Sequence, residues 1–117
     1  MRDFRKMMIW ERSMKYVVLT YTFTKQFPDD ERFGLISQMR RASVSISSNI
    51  AEGSARNSDT EFKRFLEISL GSAFELETQL IISNEMNYLK NEKFNECLSE
   101  LQEIQKMINS FINKLKK

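Results

Sequence analysis

At 117 residues the chain is long enough to bury a real core and short enough for one domain, residues 1–117. Three glycines and one proline, set among abundant Lys, Glu, Leu, Ile and Met, exclude a turn-rich β protein and point to helices on short connections. The net charge of +2 includes no histidine, which removes the commonest general base and the commonest transition-metal ligand together.

The first predicted helix runs from about Phe4 to Gln26. Met7, Trp10, Met14, Val17 and Tyr21 step by three and four and make one apolar stripe, read as its core face. Ile9, Tyr16, Phe23 and Phe27 make a second stripe, which implies burial on another side. "FPDDERFG" breaks the pattern, because Pro28 cannot continue a helix; Asp29 or Asp30 is placed to cap the next one or to sit in its first turn. The second helix is predicted from Glu31 or Arg32 to Ala51. Its "RRASVSISSNIAEG" alternates serine with small apolar residues like a strand. Yet Leu35, Met39, Ala42, Ile46 and Ile50 keep the helical period, and Gly53 suits a left-handed residue after the helix end.

Ser58 with Glu61 forms a capping box, and a stripe from Phe62 through Leu66, Ser69, Ala73, Leu76, Leu80 and Ser83 carries the third helix to near Leu89. Asn91 is the expected cap of the fourth. There Phe94, Cys97 or Leu98, Leu101, Ile104, Ile108, Phe111 and Leu115 keep a near-heptad rhythm. Short loops between long amphipathic helices make the chain all-α, an antiparallel up-down-up-down four-helix bundle. Folding the second helix onto the third brings Ala42 and Ser45 toward Ser69 and Leu66, near Gly71 to Ala73, so small residues meet small residues at a close crossing. Arg40 and Arg41 diverge by about 100°. One of them is placed to pair with an acid of the third helix, such as Glu67 or Glu75.

At this point a family likeness is visible. "GLISQMRRASVSISSNIAEGSARNSDTEFKRFLEISLGSAFELETQL", Gly34 to Leu80, resembles the bacterial four-helix bundle proteins encoded in intervening sequences of 23S ribosomal RNA genes. Trp10, "FP" before the second helix and "NYL" closing the third extend the likeness over nearly the whole chain. The resemblance implies an antiparallel bundle assembled as a ring-like homopentamer. A more distant branch resembles accessory proteins of diversity-generating retroelements, which partner a reverse transcriptase and bind nucleic acid through a basic surface. This chain is less basic than that branch. The resemblance supplies no catalytic residue.

The chemistry of the chain is sparse. A di-iron bundle site needs Glu-x-x-His and fails without histidine, and Glu75 and Glu77 diverge on a helix. No Ser/His or Cys/His pair exists, and no glycine-rich phosphate loop. Cys97 lies on an apolar stripe and reads as a core thiol. No catalytic residue, metal or cofactor is expected. A lone cysteine, no bilayer-length apolar run and no signal-peptide pattern predict a cytoplasmic protein with no membrane partner.

Charge is segregated along the chain: 12 basic against 8 acidic residues up to Arg64, 2 against 8 from Phe65 to Ile104, then four lysines and no acid. One reading of this pattern is solvated helix faces of mixed sign. The sharper reading is a non-enzymatic bundle that binds RNA or DNA through Arg2, Arg5, Lys6, Arg12, Lys15, Arg56, Lys63, Arg64, Lys114, Lys116 and Lys117. The alternative is a scaffold or accessory subunit that docks a partner protein such as a reverse transcriptase. The spare faces of the first two helices, with Ile9, Tyr16, Phe23, Arg40, Val44 and Ala51, are expected to build a homo-oligomer, a pentamer by the resemblance.

Overall fold

Four helices are found among the described residues: α1 Met8–Thr24, α2 Leu35–Ser54, α3 Asp59–Glu85 and α4 Asn91–Leu115, with 3-10 turns at Phe4–Lys6 and Asp29–Glu31. The computed structural model describes residues 1–115; Lys116 and Lys117, two of the expected nucleic-acid contacts, lie outside the described residues. Side-chain pairs show that sequence neighbours run antiparallel. Ser13 meets Ser47 and Thr24 meets Arg40 between α1 and α2; Ser69 meets Ile46 and Ser83 meets Met39 between α2 and α3. Phe62 meets Phe111 and Ala73 meets Gln105 between α3 and α4. The ring closes where α1 meets α4, through Arg12–Glu100 and Tyr16–Cys97. The long axis is 44 Å.

Helix ends differ from expectation for local reasons. Met7 is extended (φ −92°, ψ 126°), so α1 starts at Met8 and Phe4–Lys6 steps off its axis as a separate turn. Asp29 and Asp30 fall in a 3-10 turn, and α2 starts four residues later than expected from Glu31. Glu31 does the capping instead. Its Oε1 accepts from the Leu35 amide at 3.2 Å, and its Oε2 accepts from the Tyr88 hydroxyl at 3.0 Å. One carboxylate thereby ties the α1–α2 connection to the α3–α4 connection, and this hydrogen bond raises the Tyr88 phenol pKa.

Ser58 caps α3 as expected, accepting from the Glu61 amide. α3 stops at Glu85, short of Leu89, because Asn87 turns left-handed (φ 64°). The amides of Asn87 and Tyr88 then return to the carbonyls of Asn84 and Ser83. Asn91 is the first residue of α4, and its Oδ1 accepts from Asn84 Nδ2 at 2.9 Å.

The expected stripes of α2, α3 and α4 point inward. Met39, Ile46, Ile50, Leu66, Ala73, Leu76, Leu80, Cys97, Leu101, Ile104 and Ile108 are all 0 % exposed. In α1 the assignment reverses. Ile9, Tyr16 and Phe23, expected to face another subunit, are buried in the subunit's own core, as is Phe27 beyond the helix end. From the stripe expected to be core, Met14 and Tyr21 are exposed and Val17 is half-buried. The inward line of α1 reads Ile9, Ser13, Tyr16, Thr20, Phe23, Phe27, a heptad hidden by two hydroxyl residues. Those hydroxyls donate to carbonyls of their own helix, Ser13 to Trp10 at 2.7 Å and Thr20 to Tyr16 at 2.8 Å. Once bonded there, they are buried at low cost.

The α2–α3 crossing is built from small residues, with a register shifted from expectation. Ser45 and Ser72 share a hydrogen bond of 2.8 Å, and Ser69 donates to the Ile46 carbonyl at 2.8 Å. The shift arises because α2 continues through Gly53 to Ser54. Gly53 is helical and not left-handed. It serves close approach: a Cβ there would lie 2.7 Å from Phe65 Cβ and 2.9 Å from Phe62 Cδ1. Gly71 faces outward, with nothing within 4 Å of its missing Cβ, so it takes no part in the crossing.

Two buried acids set the alkaline limit of the bundle. Burial pushes the Cys97 thiol from 9.0 up to about 11 and raises the Tyr16 phenol well above 10.0. Because the folded-state values are raised, the unfolded chain releases these protons first. Stability is therefore intact below the unfolded values, 9.0 and 10.0, and is lost as pH rises beyond them. Urea midpoints should stay level from about pH 7 to about pH 9 and then fall steadily toward about pH 11. A midpoint that holds level across that whole range contradicts this assignment.

Candidate nucleic-acid interface

The antiparallel topology brings the α1 start, the α2–α3 turn and the α4 end to one end of the bundle. The N-terminal segment crosses that end, with the Arg2 amide donating to the Ser54 carbonyl at 2.8 Å. Seven of the expected cationic residues gather there: Arg2, Arg5 and Lys6 on the crossing segment, Arg56, Lys63 and Arg64 around the start of α3, and Lys114 in the last turn of α4.

Their charges are not equally available. Arg2 pairs with Asp59 at 3.2 Å and lies over the Phe62 and Phe111 rings at 5.0 and 5.9 Å. Arg5 pairs with Asp3 at 3.2 Å and covers Phe4. Lys6, Arg56, Lys63, Arg64 and Lys114 have no carboxylate within 4.0 Å among the described residues. Arg56 is stacked on Phe65 at 4.8 Å, which keeps its guanidinium at the surface. Among the described residues, Glu52 and Glu61 are the acids of this end left outside ion pairs, so positive charge predominates.

Two expected contacts stand elsewhere. Arg12 is committed within the bundle. It grips Glu100 with Nε at 3.1 Å and Nη2 at 2.6 Å, and the bond raises its pKa. This two-point pairing of α1 to α4 uses the charge that was expected to meet a phosphate. Lys15 sits on the exposed face of α1, 3.7 Å from Glu11 one turn back, a weak surface pair.

Neither Arg40 nor Arg41 pairs with an acid among the described residues. Arg40 reaches back to α1, donating to Thr24 Oγ1 at 3.0 Å and to the Tyr21 carbonyl at 3.4 Å, with its guanidinium 4.5 Å above the Tyr21 ring. It acts at the C-terminal turn of α1, where a cation is favoured. Arg41 is exposed beside Gln38, Ser45, Ser72 and Glu75.

Two apolar faces remain in solvent. One carries Met14, Val18 and Tyr21 of α1, with Val44 of α2 one turn beyond Arg40 and half-buried Ala51 further along. The other is the outer side of α3, with Ile68, Phe74, Ile81 and Ile82 each between 43 % and 52 % exposed. The α3 face was not anticipated; its signal was the surplus of large apolar residues outside that helix's core stripe.

Among the described residues, no group of Cys, Asp and Glu is placed to hold a metal ion, and no helix is long and apolar enough to cross a membrane. No curated protein matches the chain. A solved structure from Bacteroides thetaiotaomicron, described as a protein of unknown function from the S23 ribosomal protein family, superposes with a TM-score of 0.80 at 26 % identity, covering 89 % of this chain and 97 % of that one. The family model for the 23S rRNA-intervening sequence protein matches residues 5–110. A match of that extent, on a bundle of the same fold, makes this chain a member of the 23S rRNA-intervening sequence protein family.

Proposed function

We propose that the protein is a non-enzymatic, self-assembling bundle that binds structured RNA through the basic end. The observation that carries this is the convergence of five cations without acid partners, Lys6, Arg56, Lys63, Arg64 and Lys114, on one end of a rigid scaffold. Phosphate contacts of this kind position a duplex or loop without reading bases. Arg2 and Arg5 support the surface through their packing and ion pairs; Arg12 serves the fold.

Assembly follows from the two exposed apolar faces, which lie on different sides of the subunit. Each copy offers the α1–α2 face, with Arg40, Val44 and Ala51, to the α3 face of the next, a heterologous contact that closes into a ring. The family resemblance supports a pentamer as the closed form of that ring. A ring would set several basic ends side by side and multiply weak phosphate contacts.

The test is binding of a structured RNA across a salt series. Affinity is expected to fall steeply between about 50 and 200 mM salt, and the triple variant Arg56→Glu, Lys63→Glu, Arg64→Glu to bind at least about tenfold more weakly with a shallower salt slope. Salt-independent binding, or an unaffected triple variant, refutes it. Sedimentation should report a mass several times 13.9 kDa, lowered by Val18→Glu with helicity retained. The α3 face favours a second reading, a scaffold for a partner protein. Recovery of one stoichiometric protein from nuclease-treated native extracts would support that reading over RNA.

A further inference from the structure

The seam between α1 and α4 is closed at Arg12 and Tyr16 and opens toward the start of α1. Arg12–Glu100 and the Tyr16 hydroxyl on the Cys97 carbonyl hold the helices together at one part. Beyond that, the extended Met7 carries the chain off the α1 axis, and α4 from Glu103 onward loses its cover. A groove of about 600 Å³ results. Its floor is apolar and adaptable, made of Met7, Ile9, Met107 and Phe111, with the exposed Met8 at its edge. Arg12 Nη1 donates to Met107 Sδ at 3.5 Å and holds that side chain toward the seam. Its rim is cationic: Lys6, Lys106 and Lys114, against the single acid Glu103. None of these lysines has a carboxylate within 4.0 Å among the described residues.

We propose that this groove docks an acidic amphipathic helix of a partner protein. Methionine floors accept helices of varied sequence because the thioether chain re-packs at low cost. A helix inserts residues spaced i, i+3, i+4 and i+7 into such a groove, which here runs between α4 and the Lys6–Ile9 stretch that leads into α1. The lysine rim sets the sign of the partner, since acids flanking the apolar stripe meet three cations without an ion pair; Lys6 and Lys114 also border the basic end, so Lys106 is the cation particular to the groove. A phosphate backbone has no apolar side to place on this floor, which distinguishes the groove from the arginine-bearing surface around the start of α3.

The seven methionines make the site readable, because each methyl is a separate probe. Protein carrying ¹³C-methyl methionine is titrated with a helical peptide of about 18 residues, with leucines at i, i+3, i+4 and i+7 and glutamates on both flanks. Met7, Met8 and Met107 are expected to shift saturably, while Met14, Met39 and Met86 stay in place. The same peptide with lysine flanks should bind about tenfold more weakly or worse. The double variant Lys106→Glu, Lys114→Glu, at exposed positions, should reverse that preference. No saturable shift, equal binding of both peptides, or shifts centred on Met14 or Met86 would overturn the proposal. Concentration-dependent shifts of Met7, Met8 and Met107 without peptide would overturn it too, by assigning the groove to a second copy of the chain.

Discussion

Tyr16→Glu is expected to unfold the bundle. Tyr16 is 1 % exposed, lies on the inward line of α1, and donates its hydroxyl to the Cys97 carbonyl at 2.8 Å. The replacement removes a large aromatic side chain, worth roughly 3–5 kcal/mol in a core. It also places a carboxylate where no cation faces it; such a group is neutralised or drags water inward, at a further cost of several kcal/mol. Together these approach the total stability of a domain this size, roughly 5–15 kcal/mol. Loss of the helical circular-dichroism signal and of cooperative melting is the expected result. Tyr16→Phe isolates the hydroxyl and should cost about 1–3 kcal/mol, because the carbonyl it served stays buried. Thr22→Glu, exposed on the same helix, should melt like the parent. A Tyr16→Glu protein that remains helical and melts cooperatively near the parent would falsify the burial of this stripe in the subunit. The same result would return Tyr16 to an interface between subunits.

Gly53→Ala carries the second large effect, and its sign runs against helix propensity. Alanine in a helix interior is ordinarily favoured over glycine by about 1 kcal/mol. At Gly53 the added methyl meets Phe65 Cβ at 2.7 Å, Phe62 Cδ1 at 2.9 Å and the Phe62 carbonyl at 3.3 Å. A Cβ and a carbonyl are fixed to the backbone, so relief requires α2 and the first turns of α3 to separate. Overpacking of this kind costs about 1–3 kcal/mol after the propensity gain. The melting temperature should fall by roughly 5–10 °C. Gly71→Ala is the internal control, since its Cβ would meet nothing within 4 Å. That variant should gain roughly 0.5–1 kcal/mol. Equal effects of the two substitutions would show that α2 and α3 are not closely packed at Gly53. The same contact bears on the basic end, because Arg56 stacks on Phe65 and Arg2 on Phe62. Moving these rings apart should weaken the cationic surface along with the fold.

What the linear sequence determined is the list of elements and most of their inward faces. Helical period outweighed the serine alternation in α2, because side chains three and four apart share a face whatever lies between them. Ser58 announced the start of α3 through a bond its own side chain makes three residues on. These are local interactions, complete within one or two turns. The basic end was legible in part, since its members were named, but their gathering is a product of antiparallel folding.

Tertiary structure decided the rest. In α1 two apolar stripes competed, and the winner contained Ser13 and Thr20, whose hydroxyls bond within the helix and so cost little to bury. Arg12 and Arg40 look alike as surface cations in sequence. One is spent on Glu100, 88 residues away, and the other on the end of α1. Gly53 reads locally as a stop, yet the approach of Phe62 and Phe65 makes it a contact. For Arg12, Arg40 and Gly53 the deciding partner lies on another helix, and local spacing carries no information about which helix that will be.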